Sequence, residues 1–120
     1  MTTQLSFTKV EKKLLPKFRE NINTAESTED VKKFFSYTMQ ELLADVFSGK
    51  HSPAYDDVVL EFDKDSCFSI SHNVRRLDEY DHTWDNSDLS HIIERFAVIA
   101  VRRYNHLETN PEKTEYKIRN

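Results

Sequence analysis

The stretch Val58-Val59-Leu60-Glu61-Phe62-Asp63-Lys64-Asp65-Ser66-Cys67-Phe68-Ser69-Ile70-Ser71-His72 decides the fold. Its apolar residues fall on every second position: Val58, Leu60 and Phe62 before the polar break, Phe68 and Ile70 after it. A two-residue period sends alternate side chains to opposite faces. Each half therefore reads as a strand with one buried face, and the break as the turn of an antiparallel hairpin. Residues opposed across such a pair point to the same side of the sheet. A two-residue loop at Lys64-Asp65 would oppose Phe62 to Cys67 and scatter the apolar face. One more loop residue opposes Phe62 to Phe68, Leu60 to Ile70 and Val58 to His72. That register is the expectation, with strands over about 57–63 and 67–73.

On either side of this segment the rhythm changes to three and four. Val31, Phe34, Phe35, Met39, Leu42, Leu43, Val46 and Phe47 form a helical stripe. Ser27, three residues before Asp30, resembles a capping box, and Gly49 stands where a left-handed C-terminal cap is wanted. A helix over about 28–48 follows. Leu89, Ile92, Ile93, Phe96, Ala97, Ala100, Val101 and Tyr104 predict a second long helix over about 87–107. Its centre, Phe96 to Val101, is apolar on all sides. It needs cover on both, from the rest of the fold or from a second copy of the chain.

The remaining segments are less regular. Val10, Leu14, Leu15, Phe18 and Ile22 have helical spacing, with Ser6 or Thr8 as cap. Pro16 inside that stripe predicts a kink or a helix restarting there. Asn73 to Tyr80 reads as a short helix capped by Asn73 or as more strand. Asp81 to Ser87 reads as an acidic loop. Pro111 ends any helix, and Thr114, Tyr116 and Ile118 alternate with Glu115, Lys117 and Arg119. The expectation is a globular unit over 1–110 and a charged tail over 111–120, disordered or added as an edge strand. Leu5 and Phe7 offer a similar strand at the N-terminal side.

Composition bounds the function. Aromatic residues make up 12% of the chain, which predicts a folded domain, and glycine and proline total four, which argues against a turn-rich β-sandwich. The lone Cys67 can form neither an internal disulfide nor a zinc framework and fits a reducing cytoplasm. The N-terminal residues lack the features of a signal peptide, and no apolar run approaches a membrane span. Net charge is −4, but residues 54–94 hold eleven acids against three bases, which leaves the remainder at +4. An acidic face repels nucleic acid and attracts a basic partner. The basic run from Lys9 to Arg19 is too modest to predict nucleic-acid binding.

One glycine cannot build a phosphate-cradling loop, and no strained Gly-x-Ser-x-Gly elbow is present. The five histidines form no compact ligand motif. The best metal-ligating set is His82, Asp85, Asp88 and His91, in and after the acidic loop, where nitrogen and carboxylate donors would suit a divalent metal if they converge. Otherwise the acids there complement a helix dipole. His72 ends the apolar strand face and reads as a core or interface histidine. Trp84, the only tryptophan, and Tyr80 are candidates for partner contact, or they cap the core.

The fold expected is a two-layer α+β arrangement, with helices packed on one face of a small antiparallel sheet. The function expected is a non-catalytic protein-binding or regulatory module without a cofactor, a homodimer being one form of it. The partner would be a protein, not a membrane or nucleic acid. The alternative is a small metal-dependent enzyme working through residues 81–91.

Overall fold

The computed structural model describes residues 6–47, 53–61 and 67–109. The elements are α1 (Thr8–Thr24), α2 (Thr28–Val46), β1 (Val58–Leu60), β2 (Phe68–Ile70), α3 (His72–Arg75), α4 (Tyr80–Asp85) and α5 (Leu89–Thr109). The result is an α+β fold in which helices cover one face of a small two-stranded antiparallel sheet.

The α2 stripe forms its helix as the spacing requires. The Ser27 side chain accepts a hydrogen bond from the Asp30 N–H, and the Asp30 carboxylate in turn accepts from the Glu26 N–H. Orphan donors at the helix start are thereby satisfied. Gly49, expected to close this helix, lies outside the described residues.

Three long helices make the centre. Contacts at both ends fix their directions. Asp88, just before α5, holds the start of α1 through Phe7, and Arg103 near the end of α5 donates to the Ala25 carbonyl at the end of α1. α1 and α5 therefore run parallel. The Lys13–Asp45 ion pair and the Lys32 ammonium over the Tyr104 ring place α2 antiparallel to both. One pole of the helix layer thus carries the α1–α2 turn and the end of α5. The other carries the starts of α1 and α5, the end of α2, and α4.

The core joins Phe18 and Ile22 of α1, Phe35, Met39, Leu42 and Leu43 of α2, and Ile92, Ile93, Phe96, Ala97 and Ala100 of α5. Phe18 stacks on Phe96 with ring centroids 5.0 Å apart. The apolar centre of α5 is covered by α1 and α2, leaving Val98, Ile99 and Val101 half-buried. Val58, Phe68 and Ile70 are the buried face of the sheet, and β1 lies against α2.

Several expectations need correction. α1 runs unbroken through Pro16, which is exposed, so its ring meets solvent where a buried helix face would be disrupted. Neither Ser6 nor Thr8 is the N-cap of α1. That position is Phe7, whose own side chain makes no capping bond, and Phe7 is therefore no strand residue. The sheet register is Val58–Ile70, Val59–Ser69 and Leu60–Phe68, two residues away from the expected pairing. A shift of two keeps every side chain on its face, which is why the apolar pattern alone cannot exclude it. Phe62 and the turn lie outside the described residues. Cys67 enters β2 with φ 70°, a left-handed conformation uncommon for a residue with a Cβ.

His72 is the first residue of α3 and is exposed, not the end of a strand face. The Ser71 side chain accepts from the Val74 N–H, so Ser71, and not Asn73, is the cap that ends the strand and starts the helix. The segment expected as an acidic loop contains α4. Tyr80 and Trp84, four apart, stack with centroids 5.5 Å apart, the kind of i, i+4 contact that holds a short helix. The tail over 111–120 lies outside the described residues.

Candidate functional site

The four residues of the metal hypothesis go to separate tasks. Asp88 accepts hydrogen bonds from the Phe7 N–H at 2.8 Å, the Ser6 hydroxyl at 3.0 Å and the Thr8 hydroxyl at 3.2 Å. It caps α1 from the other end of the sequence. The His82 ring nitrogen faces the Asn86 amide at 3.3 Å, and the same amide donates to the His82 carbonyl. Asp85 closes α4 and is exposed, while His91 faces a depression between α1 and α5. Among the described residues no three His, Cys, Asp or Glu side chains gather as a metal site would require.

Partial burial raises the Asp88 pKa, but the hydrogen bonds from Phe7, Ser6 and Thr8 outweigh it, and the net shift is downward. A depressed carboxylate pKa stabilises the fold above the unfolded value, about 3.9, and that contribution disappears as pH falls through the folded value. Asp88→Ala is therefore expected to lower stability at pH 7 by about 1 kcal/mol, as the loss of an N-cap does. The gap between variant and parent should narrow below about pH 4. Urea unfolding at pH 7 and pH 3 checks this, and an equal gap at both values would refute it.

The two aromatic candidates are brought together at a different place. Tyr80 is buried and supports one face of the half-buried Trp84, and Phe68 of β2 meets the same indole edge-on at 6.3 Å. These residues border a depression of about 490 Å³ together with Ser69, Ile70, Arg75 and Asp81. Three consecutive β2 residues line it. Their side chains alternate between faces, so a depression reached by all three runs along the strand's edge and not over one face.

The ladder gives that edge its chemistry. Ser71 N–H donates to the Asp57 carbonyl and Glu61 N–H to the Cys67 carbonyl, which makes 57–71 and 61–67 hydrogen-bonded pairs. By alternation Val58–Ile70 is a non-hydrogen-bonded pair, and the Ile70 N–H and C=O point away from β1. The Tyr80 hydroxyl stays neutral at physiological pH. Burial pushes its pKa up, Arg75 pulls it down, and Asp81 and Asp85 add to the rise. Residues 75–85 carry four acids against two bases, so the surroundings of Trp84 are acidic.

One buried acid holds this end of the sheet in place. Asp57 is 1% exposed. Its carboxylate accepts from the Ala54 N–H at 2.7 Å and from the Ser71 hydroxyl at 2.8 Å, and its carbonyl accepts from the Ser71 N–H. Asp57 thereby ties the start of β1 to the start of α3, and so sets β2 against α4. Neither Asp57 nor the β2 residues stand out in the sequence as part of a site. The available signal was the spacing of Ser71 to Val74, a cap three residues ahead of an apolar helix position.

A larger depression of about 730 Å³ lies between α1 and α2, bordered by Lys17, Phe34 and Tyr37. It joins no strand edge, and one of its cations, Lys13, is engaged by Asp45 at 3.3 Å. No described helix is long and apolar enough to cross a membrane. Comparison with protein-family models, with characterised proteins and with solved structures finds no match for this chain.

Proposed function

We propose that this protein is a non-catalytic protein-binding module that takes an extended peptide segment along the outer edge of β2. One side chain of that segment sits on Trp84. The observation that carries this reading is the single depression shared by a strand edge and an aromatic pair. An added strand draws affinity from main-chain hydrogen bonds and specificity from side-chain pockets. The edge offers the Ile70 N–H and C=O for the first, and the Trp84–Tyr80 stack serves the second. Tryptophan and tyrosine are favoured at binding hot spots because a rigid ring buries much surface at little entropic cost. The acidic surroundings favour a segment carrying Lys or Arg beside its anchoring residue.

A displayed library of random peptides supplies the probe. Selected peptides, synthesised and titrated into the full chain, should shift the emission of Trp84, which has no other tryptophan to mask it. Measured by calorimetry, which needs no tryptophan, affinity should fall by about tenfold or more in Trp84→Ala and be largely kept in Trp84→Phe. Selection of peptides that bind Trp84→Ala equally well would remove the site from the proposal.

A further inference from the structure

The segment Lys113-Thr114-Glu115-Tyr116-Lys117-Ile118-Arg119, outside the described residues, carries the period of a strand. Thr114, Tyr116 and Ile118 fall on one side and charged residues on the other. It holds three bases and one acid, whereas residues 75–85 around Trp84 hold four acids and two bases. In charge and pattern it is the kind of segment the β2 edge is built to take.

The direction of the helices decides which β2 edge it can reach. α5 begins four residues after α4 ends, at the pole that carries Trp84, and ends beside the α1–α2 turn at the opposite pole. Its 21 residues span about 31 Å at ~1.5 Å per residue. Tyr116 lies seven residues past Thr109, and fully extended chain covers roughly 25 Å over that length. Even fully extended, that length is shorter than α5, so a strand centred on Tyr116 ends before the pole where α5 begins, with no allowance for a detour around the helices. In a second copy lying antiparallel to the first, the β2 pole stands beside the end of this α5, within reach.

We infer that residues 114–118 of one copy add as a strand to the β2 edge of a second copy, with Tyr116 seated on Trp84. This inference rests on the reading of the β2 edge given above. It identifies the peptide as the protein's own and makes the protein a self-associating one. The tail's N–H and C=O groups meet those of Ile70, and the net positive charge of the tail suits the net negative charge of residues 75–85 of the other copy.

Sedimentation of the full chain across the micromolar range tests it. The mass of the parent should rise with concentration. Tyr116→Pro removes an N–H and the strand geometry at a position away from the described core, and should raise the dissociation constant by at least about tenfold. Circular dichroism should show its helix content unchanged. A synthetic peptide spanning 110–120, added to Tyr116→Pro, should shift Trp84 emission, and by calorimetry it should bind about tenfold or more weakly once Trp84→Ala is added. A parent chain that stays monomeric throughout overturns the inference, as does association equally strong in Tyr116→Pro. If library peptides still shift Trp84 while the parent is monomeric, this inference falls and the module reading stands. If no peptide shifts Trp84, both fall.

Discussion

Phe96→Ala is expected to remove about 3–5 kcal/mol of folding stability, the usual cost of deleting a buried aromatic ring. Phe96 is 0% exposed and stacks on Phe18 at 5.0 Å with 20° between the rings. The loss has two parts. Apolar area returns to a cavity instead of to packed neighbours, and the aromatic pair, about 0.5–1.5 kcal/mol beyond its area, disappears. The site lies where α5 crosses both α1 and α2, so no single helix can move in to close the void. Domains of this size hold only about 5–15 kcal/mol in total, so the variant should be near the edge of folding at room temperature. Phe96→Leu keeps most of the volume and should cost less than about 1.5 kcal/mol. Urea midpoints for the pair measure the difference. Equal losses would mean that ring stacking and void formation contribute nothing here.

Asp57→Ala is the second large effect, and it couples stability to the binding edge. Removing the buried carboxylate leaves the Ala54 N–H and the Ser71 hydroxyl, both part-buried in these bonds, without their acceptor. A buried donor left unpaired costs about 1–3 kcal/mol, and partial exposure of these two reduces that, so a loss on the order of 2–3 kcal/mol is expected. Asp57→Asn retains one acceptor oxygen and should lose roughly half as much. Because Asp57 fixes β2 relative to α4, Trp84 should also lose its fixed packing on Phe68. Trp84 emission should move to longer wavelength and the near-ultraviolet dichroism should weaken, in the alanine variant more than in the asparagine one. An alanine variant within about 1 kcal/mol of the parent would show that water or a shifted backbone takes over the carboxylate's role.

How much of this was legible in the sequence follows from the range of the interactions. α2 was readable because its stripe and its cap at Ser27 are local and agree with each other. The sheet's buried face was readable because period-two alternation depends only on neighbours along the strand. Its register was not, because a shift of two leaves that alternation intact. α4 was missed because the stack of Tyr80 on Trp84 holds a segment whose polar composition reads as loop. The candidate site was half-readable. Trp84 and Tyr80 stood out by residue type, but their neighbours Phe68, Ser69 and Ile70 looked like ordinary strand residues. Only three-dimensional placement showed that they share one edge with the aromatics. Asp88 shows the same limit: an acid in an acidic stretch suggests a ligand, and its partners lie eighty or more residues away.

That long separation has a consequence for biosynthesis. The start of α1 is completed by Asp88, and the Glu11 carboxylate, largely buried, is matched by a two-pronged contact from Arg95. While the ribosome is still making the middle of the chain, neither partner exists. The nascent α1 must wait with Glu11 solvated and the face of Phe18 that meets Phe96 uncovered, prey to chaperones or to aggregation, until residues past Arg95 emerge. Completion of α1 docking is then a late event in folding, even though its residues are translated before those of α2 and α5.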